Sequence, residues 1–254
     1  MIFLSKLFRR LNTANIPSAK AVKHIAHSEP IQDLYRDRHT HFVADKLEAV
    51  VREMIGSHTS KALQSGKLFH IVDGNPDLKM SAIGEGNEVS VIVPYFESKT
   101  PWRLSVKELV PYENGLEGLV KGLAYNRAAI NFYDNFFFAN QNSYSHDQTI
   151  SVSVSALAYR LERFQKPDNY AENFCMYMPI PAEENGSADE IRLITRVQSL
   201  KEFELYGVSF LAITVDLAHI EENSLTTTLF VPKDFAPADL NVGEYISGTA
   251  WLFG

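Results

Sequence analysis

Four histidines near the start of the chain are its best candidates for metal ligands. They are His24, His27, His39 and His41, with HxxH and HxH spacings. These spacings can direct two imidazoles to one ion, with Asp37 or Asp45 as a third ligand. Since no HExxH motif and no acidic triad accompanies them, we expect a polar surface cluster and no metal site.

The sequence offers no obvious nucleophile and no cofactor loop. Its single cysteine, Cys175, lies in the apolar segment NFCMYM, where burial would raise the pKa of the thiol. There is no GxSxG elbow, and the GEGN segment lacks the third glycine of a dinucleotide-binding turn. Ser151, Ser153 and Ser155 alternate with valines, which predicts a strand whose hydroxyls lie on a solvated face. We therefore expect no catalytic residue and no cofactor.

Five aromatic residues within seven positions are the candidates for ligand binding. They are Phe132, Tyr133, Phe136, Phe137 and Phe138. One hypothesis is a platform on which bases or sugars stack. The other is a core, because burying each Phe contributes about 2 to 3 kcal/mol, and Asp134 and Asn135 inside the run indicate a bend or bulge after which the rings close the end of a barrel. We favour the core and keep the stacking hypothesis as the alternative.

Charge is distributed unevenly along the chain. The net charge is −7, yet the first 28 residues contain basic residues and no acidic one. In residues 1–14 the apolar positions recur at helical spacing, and Lys6, Arg9 and Arg10 fall largely on the other face, which predicts a basic amphipathic helix. Such a helix can contact an anionic membrane surface or a nucleic acid, or it can dock on a partner subunit or on the acidic remainder of the chain. We favour docking.

The composition is that of a globular protein, with 254 residues of which 45% are hydrophobic and 22% are charged. A single cysteine indicates a reducing compartment, so we predict a cytoplasmic location. No apolar run approaches the roughly 18 residues of a membrane span, so we predict no transmembrane segment.

Hydrophobic periodicity predicts one long helix and then many strands. A stripe of apolar residues predicts a helix over 40–55, followed by Gly56 in the position of a left-handed cap. The small polar segment 57–66 is either a helical extension or a loop. Alternation then predicts an antiparallel meander with strands at 68–72, 78–83, 88–96 and 102–110, because its links are too short for parallel crossovers. Further strands are predicted near 118–133 and 149–161 and throughout 190–254.

Two segments share one order of residue types: FFANQNSYSHDQTISVSVSALAY and DFAPADLNVGEYISGTAWLF. Each has Phe-Ala, a polar stretch with one hydrophobe, a turn residue and a strand that ends in aromatics. Residues 190–254 resemble in pattern the five-stranded Greek-key barrels called OB-folds, with a long bent first strand and a helical turn before the last strand. The resemblance is one of pattern, since no motif makes it specific.

We predict a mainly β protein (α+β overall), with an N-terminal helix or helices followed by antiparallel β-barrel-like units of OB-like pattern. The predicted segments are a basic arm and linker (1–28), a helical segment (29–66), a β meander (67–115) and two β-barrel-like units (116–178 and 179–254). The function we favour is a non-enzymatic binding or regulatory module that recognises a protein partner or itself. The alternatives are single-stranded nucleic-acid or oligosaccharide binding by the aromatic strand, and an enzyme whose site is assembled from distant residues.

Overall fold

The computed structural model describes residues 26–27, 47–56, 61–65, 68–74, 79–85, 88–95, 99–184 and 186–254. The predicted amphipathic helix of residues 1–14, with Lys6, Arg9 and Arg10, lies outside the described residues. So do His24, His39 and His41, and only the backbone of His27 is described. Within the described part of the chain, no helix is long and apolar enough to cross a membrane.

The first part of the chain forms one helix and a small four-stranded sheet. The elements are β1 (Ala26–His27), α1 (Leu47–Gly56), β2 (Lys61–Ser65), β3 (Leu68–Gly74), β4 (Lys79–Glu85) and β5 (Glu88–Tyr95). Helix α1 lies on the predicted apolar stripe and extends one residue past the predicted end at 55, to Gly56, while residues 40–46 of the predicted helix lie outside the described residues. Strands β2 to β5 pair in sequence order and antiparallel, as the short links require. Residues 61–65, for which the sequence indicated a helical extension or a loop, are therefore an edge strand.

A larger sheet of twelve strands contains the rest of the chain and β1. Its elements up to residue 179 are β6 (Pro101–Pro111), β7 (Gly118–Ala124), β8 (Ala128–Tyr133), α2 (Phe137–Asn140), β9 (Thr149–Ser153), β10 (Ser155–Arg163) and β11 (Met176–Pro179). The remaining strands are β12 (Glu190–Arg196), β13 (Ser199–Leu205), β14 (Val208–Ile220), β15 (Asn223–Pro232) and β16 (Tyr245–Phe253). Short 3₁₀ helices lie at Ala182–Glu184 and Lys233–Phe235.

The mainly β prediction is confirmed, but the prediction of antiparallel pairing throughout is wrong. Strands β1 and β6, β10 and β15, and β16 and β8 pair in parallel. The predicted meander also divides, because its last strand, β6, leaves the small sheet and pairs with β7 and β9. The described strands form two open, mixed or antiparallel sheets and no closed barrel.

Two regions of the large sheet have the same order of elements, and each receives a strand from the other. The first region (101–153) contains β6, two hairpin strands, α2 and β9, while the second region (187–254) contains β12 and β13, two hairpin strands, a 3₁₀ helix and β16. Strand β10 follows β9 along the chain but pairs with β15 and β16 of the second region. In return, the end of β16 pairs with β8 of the first region, where Phe253 lies opposite Tyr133.

The first region turns from α2 into β9 at a corner that we call the first corner: Val106, Ser145, Asp147 and Gln148. The Val106 amide donates to the Gln148 carbonyl at 2.9 Å, and the Asp147 amide donates to the Val106 carbonyl at 2.8 Å. The Gln148 side chain closes the turn by accepting the Ser145 amide at 2.9 Å. Asp147 has a positive φ of 62°.

The second region repeats this arrangement at the second corner: Val197, Asn241, Gly243 and Glu244. The Val197 amide donates to the Glu244 carbonyl at 2.9 Å, and the Gly243 amide donates to the Val197 carbonyl at 2.8 Å. The Glu244 carboxylate accepts the Asn241 amide at 2.8 Å. Gly243 has a φ of 93°, so Asp147 and Gly243, the turn residues of the two similar segments, share a left-handed backbone.

Two clusters of buried apolar residues hold the sheets together. One lies within the large sheet and includes Trp102, Phe132 and Phe137. The other includes Met54 of α1 and Met80 of the small sheet together with Trp251 of the large sheet. The second cluster therefore joins α1 and the small sheet to the large one.

Candidate functional site

The aromatic residues predicted as ligand contacts are mostly enclosed by protein. Phe132 and Tyr133 end strand β8 and are each 1% exposed, and Phe137 in α2 is 0% exposed. Phe136 and Phe138 are half-buried and lie against His70 of the small sheet, with ring centroids 5.1 and 5.5 Å apart. Their edge-on contacts place this cluster between the two sheets.

His70 lies at this junction as a neutral ring. Its Nε2 is 2.7 Å from the Ser81 hydroxyl, and its Nδ1 has no hydrogen-bond partner among the described residues. Burial lowers the pKa of His70 to about 4, because the charged imidazolium loses its hydration. The histidine therefore packs as an aromatic ring at neutral pH.

The bend predicted at Asp134 and Asn135 is present between β8 and α2. The Asp134 carboxylate accepts the Phe136 amide at 2.8 Å and the Tyr144 hydroxyl at 2.8 Å, and it also accepts Asn140 Nδ2. Burial raises the pKa of Asp134, and these donors oppose the shift. The carboxylate organises the turn and is only 3% exposed, so it is closed to a substrate.

Other buried carboxylates are likewise bound to neighbouring side chains. Tyr133 donates its hydroxyl to Glu117 at 2.9 Å, and Trp251 Nε1 donates to Asp189 at 2.7 Å. Burial raises the pKa of Asp189 to about 7. Both carboxylates are fully enclosed, so we interpret them as structural groups.

The remaining chemical candidates lie apart from one another. Cys175 is half-buried, and burial raises the pKa of its thiol to about 11, in the predicted direction. Among the described residues, no three His, Cys, Asp or Glu side chains are placed to hold a metal ion. Ser155 departs from the predicted solvated face: it is fully buried, because the chain crosses from β9 into β10 at residue 154 and gains new neighbours.

A groove of about 330 Å³ lies on the outer face of strands β11, β12 and β16. The strand register sets two rows of side chains across it: Met176, Ile194 and Ser247 in one, and Met178, Arg192 and Thr249 in the other. Met178 is 47% exposed at the edge of the sheet. The groove thus presents two flexible thioethers beside small hydroxyl side chains, a surface that adapts to apolar side chains of different shapes.

One cation borders this groove. Arg192 forms an ion pair with Glu184 on the surface, and both side chains are about half exposed, at 46% and 48%. An ion pair this exposed contributes about 0 to 1 kcal/mol, so a second carboxylate can compete for Arg192.

A larger depression of about 490 Å³ lies between the end of β10 and residues 234–237. Both of its arginines already face carboxylates, Arg160 with Glu162 at 3.4 Å and Arg163 with Glu244 at 3.4 Å. Arg163 also donates to the carbonyls of Ala238 and Asp239. We therefore regard the smaller, apolar groove as the candidate site.

Sequence reasoning missed the groove residues. The alternation of Met176 and Met178 in NFCMYM indicates that both side chains share one face of a strand. The sequence does not indicate that Arg192 and Thr249, far along the chain, complete the same surface. In comparisons with protein families, curated proteins and solved structures, this chain matches none of them.

Proposed function

We propose that this chain is a non-enzymatic binding module that recognises a protein partner through the groove on β11, β12 and β16. The observation that carries the proposal is the apolar surface that exposed Met178 forms with half-buried Met176 and Ile194 at a sheet edge. Exposed apolar surface that is bordered by polar residues is typical of protein-binding sites. The buried carboxylates offer no open site for catalysis, which supports binding over an enzyme.

The occupant that fits is an extended peptide segment with one large apolar side chain and a nearby carboxylate. The apolar side chain would lie between the two methionines, where it gains contact area. The carboxylate would face Arg192 in place of Glu184, and charge complementarity would fix the direction of the peptide.

Peptide selection on the whole protein tests this proposal. We would enrich a random peptide display library on the intact chain and measure the best peptide by calorimetry against the wild type and Met178→Asp. We expect enrichment of apolar residues near acids, and affinity for Met178→Asp reduced about 10-fold or more, because a charge enters the apolar contact. Val242→Asp, at a residue that is 62% exposed, is the matched surface control and should bind as the wild type does. If no peptide is enriched, or if Met178→Asp binds equally well, the proposal fails.

Binding of single-stranded nucleic acid through the aromatic strand remains a separate proposal with weaker support. Only Phe136 and Phe138 of the five rings retain partial exposure, and both contact His70. A labelled oligonucleotide at low salt distinguishes the two functions. Salt-sensitive binding that disappears in Phe136→Ala would favour nucleic acid over the peptide.

We further propose that the two regions are copies of one OB-like unit that exchange their last strands. The repeated hydrogen bonds of the first and second corners support this relation. Strand β10 pairs in parallel with β15, and the end of β16 pairs in parallel with β8. The two pairs occupy equivalent positions, because each joins the third strand of one unit to the fifth strand of the other in the OB-like pattern. Such units are interleaved, so they differ from the contiguous ranges 116–178 and 179–254 predicted from the sequence.

A further inference from the structure

The outer edge of β9 is a strand edge without the usual protection, in the part of the chain that the structure describes. Residues Thr149–Ser153 pair with β6 on one side, and no described strand pairs with them on the other. Thr149 and Ser151 are exposed, and Gly254 lies beside the Ser153 carbonyl at one end of the edge. Unpaired backbone groups on such an edge are a template for another strand.

The second region shows what occupies the equivalent place. Strand β16 corresponds to β9, because each begins directly after its corner. On the matching side of β16 lies β10, with Arg163 opposite Ile246 and Leu161 opposite Gly248. The same fold position is thus covered by a strand in the second region, and no described strand covers it in the first.

Three other edge strands carry residues that discourage pairing. Strand β13 has Lys201 and Glu202, β5 contains Pro94, and β11 ends in Pro179. Charges and prolines are the usual protection of sheet edges. Strand β9, with the sequence TISVS, has neither a charge nor a proline.

The backbone of β9 directs its free groups outward at alternate residues. The Val106 amide donates to the Gln148 carbonyl, and two residues further along the two strands Leu104 lies opposite Ile150. Ile150 therefore directs its N–H and C=O toward β6, and Thr149 and Ser151 direct theirs toward the open edge.

We propose that the outer edge of β9 pairs antiparallel with β9 of a second copy of this chain, about a twofold axis at Ile150. This proposal is independent of the groove. In that register Thr149 lies opposite Ser151 of the partner subunit on the solvent face, which allows four backbone hydrogen bonds. Ile150 meets its own copy on the other face, where close apolar pairs are favourable. The strand is its own complement and carries no charge, so no like charges on it oppose the pairing.

The expected dimer is weak, since a five-residue edge buries less than the roughly 1,200 Å² of a standard interface. Sedimentation velocity of the full chain over a wide concentration range tests it, with hydrogen exchange at low and high concentration to locate the contact. As the protein concentration increases, we expect the average mass to rise toward twice the monomer value. We also expect the backbone amides of Thr149 and Ser151 to exchange more slowly at high concentration than at low concentration.

Ser151→Pro is the decisive variant, because it removes an outward N–H and leaves the bonds to β6 intact. It should weaken association about 10-fold or more, since one hydrogen bond is lost on each side of the axis. Ser151→Lys, which adds an edge charge, should act in the same direction, and Ser151→Thr is the matched control that keeps the N–H. Circular dichroism of each variant confirms folding. A chain that stays monomeric at the highest concentration overturns the proposal, and so does a dimer that is equally stable in Ser151→Pro and Ser151→Lys.

Discussion

The first and second corners have the same hydrogen bonds but different side chains. In both corners, one valine forms two backbone hydrogen bonds to the turn that follows the helical segment. The bond that the valine amide donates is 2.9 Å long in each corner, and the bond that the valine carbonyl accepts is 2.8 Å long in each. The left-handed residue is Asp147 in one and Gly243 in the other, and the side chain that closes the turn is Gln148 in one and Glu244 in the other. The backbone geometry is therefore the requirement, and several residue types satisfy it.

The strands that follow the corners differ because their neighbours differ. Position 248 in β16 is a glycine with the Arg160 carbonyl against it, and a Cβ there would lie 2.3 Å from that oxygen. Val152 is the equivalent residue in β9, and its side chain is half-buried with no described strand on its outer side. The restriction on side-chain size is local to position 248, where β10 changes register between Ala158 and Arg160 and brings the Arg160 carbonyl close.

The largest effect is expected from Gly248→Val, which makes β16 resemble β9. The new side chain would push β10 away from β16, and overpacking of this kind costs about 3 kcal/mol. Urea unfolding followed by circular dichroism measures the loss. Val152→Ala changes side-chain size at the equivalent position of the first region and should cost about 1 kcal/mol or less. Equal losses in the two variants would contradict the proposed difference in coverage.

The two regions also differ in the aromatic residue that donates to their buried carboxylate. Tyr133 donates to Glu117 in the first region, and Trp251 donates to Asp189 in the second. Burial raises the pKa of Asp189 to about 7. The folded state therefore holds the Asp189 proton more tightly than the unfolded state does. The resulting stabilisation is complete below the ordinary pKa near 4 and is lost as the pH rises to 7.

Asp189→Asn, which mimics the protonated form, should remove this loss. We expect the stability of the variant relative to the wild type to increase by about 2 kcal/mol between pH 4 and pH 8. Urea unfolding at both pH values measures it, with exposed Glu183→Gln as control. A relative stability that is independent of pH would show that Asp189 is already ionised at pH 4.

Gly243→Ala tests the backbone requirement at the second corner. An added Cβ has room, since its nearest neighbour is Arg196 Nη2 at 3.5 Å, so the cost arises from the positive φ of 93° alone. A non-glycine residue in this region costs about 1 to 2 kcal/mol. Asp147→Ala at the first corner should change stability less, because that position already carries a Cβ. If Asp147→Ala is the more harmful change, side-chain contacts with Lys107 control the corner, and not the backbone.

The position of most strands could be predicted from the sequence, but the identity of their neighbours could not. Alternation located most strands within a few residues, because it records which side chains share a face. It does not record which strand lies alongside, so the parallel pairing of β10 with β15 was not predicted. Ser155 illustrates the consequence: its place in the alternation predicted a solvated hydroxyl, but the change of neighbouring strand buries it. The groove was missed for the same reason, since three distant segments form it.

The smallest effect is expected from Glu244→Gln, which gives the second corner the closing side chain of the first. The Asn241 amide lowers the pKa of Glu244, and Arg163 lowers it further. A lowered pKa means that the carboxylate stabilises the fold above its ordinary value near 4.5, and that this contribution is lost as the pH falls below it. Glutamine still accepts the amide but lacks the charge, so the variant should melt slightly below the wild type at pH 7. Thermal unfolding at pH 7 and pH 3 should show the two converging in acid, with exposed Glu222→Gln unchanged at both. A difference that persists at pH 3 would mean that the corner depends on the shape of the closing side chain, and that Glu244 and Gln148 are not interchangeable solutions to one backbone turn.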